Sequence, residues 1–428
     1  MIPLKKDSIR KNDDEYAKII TQEVSASGIK LTKAILSRGD ITIEVWDNPT
    51  VQLKAYIDIE NDNAEEKQLL LDNLKIELVA KGDKIEVINE CINGDDCNCN
   101  CTTTTIKGKK KNKKVKKSSS KIQIDYVIKV PRNMNLDLNG SYGDITIPDL
   151  NGDVTIKSFQ GNFYGGKIDG KLNLNSRYGK VELAGFDSGV LMLFQSKGNL
   201  GTSKNIDVNA KYSQFKIESV EELTLDVFQS NLDVQESVNG IKGTIKYGDL
   251  TLLKNAIEVK LSAFQAKVTA LKIEKLNIDG SYSSVKSDVI DDLILEKSFQ
   301  NKYELGTLKS VKGEAKYSNF NINQLNETLN LKTFQGDIKI GNISAEFKDV
   351  NIDSKYTPID LNFSSEAKYN LNAQTTYTSL SYPEQKIEFT HQNKELNKND
   401  IKGVFNAKSN RSTSLVSLVC FQGKVSLK

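Results

Sequence analysis

Apolar and polar residues alternate with period two through most of this chain, and turn residues cut the alternation into short runs. Ile41, Ile43 and Val45 alternate with polar neighbours, and after an Asn-Pro turn at 48–49 so do Val51, Leu53, Ala55 and Ile57. Period two sends every second side chain to one face of an extended strand, so these runs predict half-buried β-strands. Residues 64–74 depart from the rule and predict the one helix, with Asn61, Asp62 or Asn63 as N-cap and acids in its first turn. Strand patterning resumes at 76–79 and 84–89.

From Tyr142 onward the pattern repeats itself. One ladder is Tyr142, Tyr178, Tyr212, Tyr247, Tyr282 and Tyr317; the other is a Phe-Gln pair starting at Phe159, Phe194, Phe228, Phe264, Phe299 and Phe334. Each ladder has a period of about 35 residues, and the two interleave, so the unit is about 17.5 residues. A short period of strand-like sequence marks a solenoid, in which each unit buries its apolar face against its neighbours. A small residue follows most markers, such as Gly143, Ser213, Ser230 and Gly336, and permits a sharp corner between two short strands. The expectation is an all-β, right-handed parallel β-solenoid (β-helix), with one short N-terminal helix and a C-terminal cap.

Residues 1–24 are polar and aperiodic and predict a flexible leader. Residues 25–130 predict an N-terminal β region containing the helix, 131–385 the repeat array, and 386–428 a cap with a last Phe-Gln rung at Phe421-Gln422. Residues 90–120 interrupt the β region with a Cys/Asn/Asp segment, four threonines and eight lysines within 107–117. That composition cannot bury a core and predicts a disordered insertion between two strands that would otherwise pair, 84–89 and 122–130.

Alternation also predicts direction. Tyr and Gln are in phase with the apolar residues before them, so both are expected to point inward. The preceding position then points outward, alternating Phe159, Phe194, Phe228, Phe264, Phe299 and Phe334 with Arg177, Lys211, Lys246 and Lys316. Such a stripe of rings spaced by cations is a candidate binding surface for a polysaccharide or another surface protein. The competing expectation is a twisted or bulged corner that turns Phe into the core. If the stripe is exposed, Phe228→Ser with Phe264→Ser should leave thermal stability near wild type.

Composition narrows the chemistry. The formal net charge is +3, from 59 basic and 56 acidic residues, so specific nucleic-acid binding is not expected. With a single histidine, His391, and no carboxylate pair recurring on one face, no enzyme and no cofactor are expected. Cys97, Cys99 and Cys101, with Cys91 nearby, are close enough to share a soft metal. The Cys-x-Cys-x-Cys spacing equally fits a solvated loop or a local disulfide. Arg38-Gly39-Asp40 reads as the opening of a strand, like Gly143-Asp144 and Gly248-Asp249. No apolar leader follows Met1 and no transmembrane helix is expected, so the chain is either cytoplasmic or a mature form.

Arg38 to Asp47 (RGDITIEVWD), Val130 to Leu136 (VPRNMNL) and the recurring Ser141-Tyr142-Gly143 and Lys211-Tyr212-Ser213 corners resemble the bacterial putative-adhesin family of β-strand-repeat proteins. The resemblance spans roughly residues 28–428. It implies a secreted or envelope protein, in the periplasm, the outer membrane or at the cell surface, that binds or scaffolds. The alternative is a cytoplasmic self-assembling scaffold of bactofilin type, and the third a glycan-processing β-helix enzyme.

Overall fold

The computed structural model describes residues 13–91, 121–406 and 413–428. It is a parallel β-solenoid of about 13 turns with a spacing of roughly 18 residues. Two compact units divide at Phe215/Lys216. Cys97, Cys99 and Cys101, the lysine run and residues 1–12 of the leader lie outside the described residues, as does nearly all of the 90–120 insertion; the second half of the leader is not aperiodic coil but leads into strand Lys18–Ser25.

In the first unit, the earliest solenoid rung comes from well before the sequence repeat. Strand Leu31–Ser37 pairs in parallel with Asn135–Ser141, and Ile41–Trp46 with Ile145–Ile147. Arg38 stands at the corner where later rungs carry Tyr or Gln. Antiparallel strands flank this rung: Lys18–Ser25 pairs with Thr50–Glu60, which pairs with Lys121–Pro131. The strands expected to pair across the insertion find other partners. Lys84–Cys91 lies antiparallel to Leu74–Lys81 and parallel to Leu31–Ala34, while Lys121–Pro131 also runs parallel to Ile41–Trp46. Their contact is a hydrogen bond from Asn89 Nδ2 to the Tyr126 hydroxyl, 2.7 Å. Helix Ala64–Asn73 begins where its cap chemistry dictates: Asn63 Oδ1 accepts from the backbone N–H of Glu65 and Glu66.

Parallel rungs place like residues above like. In the first unit Leu138, Ile156, Leu174, Leu191 and Val208 form one buried column. In the second, Leu223, Ile241, Val259, Leu276, Leu293 and Val311 form another. Rungs stack about 4.8 Å apart, close enough for branched side chains to fill the space between layers. Interior rings stack flat, as Tyr303 and Phe320 do at 4.6 Å and 4°. The Tyr303 hydroxyl lies 2.9 Å from Ser298 Oγ, and burial pushes its pKa up to about 12.

The second unit closes out of sequence order. Strand Leu415–Leu427 does not follow the last rung but inserts before it. It pairs in parallel with Asp349–Lys355 and Ile359–Phe363 on one side and with Tyr369–Ser381 on the other. Antiparallel strands Lys398–Phe405 and Ile387–Glu395 then cover Tyr369–Ser381. The outermost of these carries exposed Glu388, His391, Lys394 and Glu395, charges that discourage another chain from adding to the edge.

Candidate functional site

Each corner is built from three residues. The first is Phe or a cation, or a hydroxyl residue at Ser141, Ser281 and Thr376; the second, Gln or Tyr, has φ between 45° and 61°; the third is small and mostly buried. A left-handed residue in an extended chain turns its side chain to the same side as its predecessor. Two successive side chains therefore point outward, and the small third residue points in. This corrects the expectation that Tyr and Gln face the core: the corner tyrosines are between 41% and 59% exposed and the glutamines are exposed too. Phe does not enter the core either. It lies half-buried on the outer surface, apart from the more exposed Phe421.

Hydrogen bonds hold the corner in this shape. Along the ladder the N–H of the left-handed residue donates to the first-position carbonyl of the next rung, as Tyr178 N to Phe194 O (3.0 Å) and Tyr282 N to Phe299 O (2.9 Å), while the N–H of Tyr377, at the far end, donates to Asn397 O (2.7 Å). Where the third residue is Ser or Thr, its hydroxyl donates back to the first-position carbonyl, as Ser283 Oγ to Ser281 O and Ser318 Oγ to Lys316 O. Where it is Gly, a side chain has no room: a Cβ on Gly161 would sit 1.9 Å from the carbonyl oxygen of Gly143.

Arg38-Gly39-Asp40 belongs to this series. Arg38 is left-handed at φ 57°, its N–H donates to Ser141 O, and Asp40 Oδ1 accepts from Asp144 N. The tripeptide is a corner, as its sequence context predicts.

The first corner position forms a column. Register pairs Phe159 with Arg177, Arg177 with Phe194 and Phe194 with Lys211 in the first unit. In the second it pairs Phe228 with Lys246, Lys246 with Phe264, Phe264 with Ser281, Ser281 with Phe299, and Phe299 with Lys316. Phe334, Lys355 and Phe421 continue it. Beside it runs the Gln/Tyr column, and the two interlock diagonally: a Phe on one rung meets the Tyr on the rungs above and below. In the first unit five rings, Tyr142 to Tyr212, pack at 5.4–5.7 Å and 80–87°. In the second, ten rings from Phe228 through Tyr356, Phe421 and Tyr377 pack at 5.4–6.0 Å and 74–85°. Edge-to-face contact sets the positive ring edge against a negative ring face, worth about 0.5–1.5 kcal/mol per pair beyond burial.

Sequence reasoning names the Phe and cation positions and misses the tyrosines and Lys355. Lys355-Tyr356-Thr357 repeats the pattern of Lys211-Tyr212-Ser213, which is the signal that could have found it. In the second unit the corner opens into a shallow groove of about 580 Å³, whose lining includes Gln265, Lys267, Tyr282, Gln300, Asn301, Lys302 and Tyr317. Asn301 is buried there and donates to Gly280 O and Ser298 Oγ while its Oδ1 accepts from Ser283 N. Among the described residues no group of three or more His, Cys, Asp or Glu side chains could hold a metal. No described helix is long and apolar enough to cross a membrane.

No protein-family model matches the chain, and no curated protein matches it. Among solved structures it is similar to putative adhesins. One, from Parabacteroides merdae, is 11% identical, covers 63% of this chain and 96% of its own, and has a TM-score of 0.32. A second, from Bacteroides fragilis, is 12% identical over 64% of this chain and 98% of its own, with a TM-score of 0.24. A putative cell adhesion protein from Clostridium sporogenes is 9% identical over 96% of this chain and 98% of its own, with a TM-score of 0.16. The resemblance read from the corner sequences names the same kind of protein. At scores this low, function has to be read from the chain's own surface.

Proposed function

We propose that this is a non-enzymatic, adhesin-like β-solenoid of the cell envelope or surface. It binds an extended polymer or a surface protein along its aromatic ladder. The observation that carries this reading is the ladder itself: a row of large rings held half out in water, in which every tyrosine sits at a left-handed backbone conformation that costs about 1–2 kcal/mol for a residue with a Cβ. Glycine would relieve that cost, so the side chain is what the corner retains. Rigid aromatic side chains lose little entropy when a ligand covers them, which suits them to a binding face.

The antiparallel strands at the chain's C-terminal rungs disfavour end-to-end stacking of copies, which a bactofilin-like scaffold requires. The test is an array of polysaccharides and envelope extracts probed with the labelled full chain and with a Tyr247→Ser, Tyr282→Ser, Tyr317→Ser variant. Binding that the variant loses supports the proposal. Filaments formed by the wild-type chain, or turnover of a glycan, would replace it.

A further inference from the structure

We propose that the ligand of the second unit's ladder is an acidic linear polysaccharide, lying along the solenoid with an acid group at about every second rung. This rests on the reading of the ladder as a binding face and adds the ligand's charge and repeat. Lys246, Lys316 and Lys355 stand in the Phe column, exposed, and none has an ion-pair partner among the described residues. Arg177 and Lys211 do the same in the first unit. Some lysines elsewhere are paired, as Lys275 is with Glu258 at 2.9 Å and Lys348 with Glu327 at 2.7 Å. A ligand's acid group can therefore approach the column without breaking an internal ion pair.

Spacing selects the ligand class. In the second unit Lys316 and Lys355 stand two rungs, or roughly 9.6 Å, apart, and Lys246 and Lys316 twice that, with Ser281 at the position between them. A β-linked disaccharide spans a similar length, so one acid group per disaccharide keeps step with the column. A single nucleic-acid strand carries a charge roughly every 3.4 Å, far denser than the column. Between the cations, sugar rings meet exposed tyrosine, and the amides of Gln265 and Gln300, which make no hydrogen bond to described residues, face solvent and can pair with sugar hydroxyls. Ser281 occupies the cation position at the Tyr282 rung, and the shallow groove opens beside it with Lys267 in its lining.

The test is a binding titration of the full chain with hyaluronate, a β-linked polymer with one carboxylate per disaccharide, and with its fully methyl-esterified form, which keeps the sugar rings and removes the charge. Single-stranded DNA and anionic phosphatidylglycerol vesicles serve as polyanion controls. The expected result is binding to hyaluronate that falls about tenfold in Lys246→Gln with Lys316→Gln, with unchanged thermal stability, and that weakens with salt. Equal binding of the charged and esterified polymers, lost only in the tyrosine variant, would overturn the acidic ligand and leave the ladder intact as a binding face. Equal affinity for DNA or vesicles would overturn the match of spacing. No binding to any polymer, with the tyrosine variant indistinguishable from wild type, would remove both readings.

Discussion

At the scale of the residue, the corner places two costs against each other. A left-handed Tyr or Gln is strained by about 1–2 kcal/mol, and only Tyr recovers part of that through ring contacts. Tyr282 meets Phe264 at 5.7 Å and Phe299 at 5.4 Å. Tyr282→Ala should therefore destabilise the chain by about 1–3 kcal/mol. Gln265→Gly loses no ring contact and should be neutral or stabilising by up to about 1 kcal/mol. Paired urea denaturations would show it, and equal losses from both changes would mean that the ring contacts add nothing. The same contacts revise the expectation that Phe228→Ser with Phe264→Ser leaves stability untouched. Phe264 is half-buried between Tyr247 and Tyr282, and its loss should cost about 1–3 kcal/mol. Sequence showed which residues mark the corner but not where they point. Period-two reasoning assumes φ stays negative, and no residue type at the corner announces αL, since Tyr and Gln are poor candidates for it.

At the scale of the element, Leu415–Leu427 carries the clearest lesson. Tyr356 is followed by Tyr377 with no Phe-Gln between them, a break in the alternation that the sequence displays. Phe421-Gln422 fills that gap, so that Tyr356, Phe421 and Tyr377 restore the order of rings. Local patterning identifies the strand and its marker, but an appended rung and an inserted one read alike. Only the ladder's grammar separates them. Deleting residues 413–428 should thus expose two strand faces at once. Hydrogen exchange should show lost protection in both 349–363 and 369–381; protection lost from the cap strands alone would fit an appended strand. The helix and its Asn63 cap were legible because capping is local. The rung at Leu31–Trp46 was legible as strands but not as part of the array, since Arg38 takes the place of the marker.

At the scale of the whole molecule, the repeat period fixed the solenoid, while the ligand depends on which face the period exposes. An envelope or surface protein should appear in that fraction of its native cells and yield to protease shaving of intact cells. Recovery only from the cytoplasm would favour a scaffold. The most direct test of the binding face is affinity electrophoresis of the full chain through gels containing neutral and acidic polysaccharides, beside the Tyr247→Ser, Tyr282→Ser, Tyr317→Ser variant, with circular dichroism confirming that both are folded. The account predicts that at least one polymer retards the wild-type chain and that the folded variant runs free. Equal retardation of both, or of neither in any gel, would contradict it.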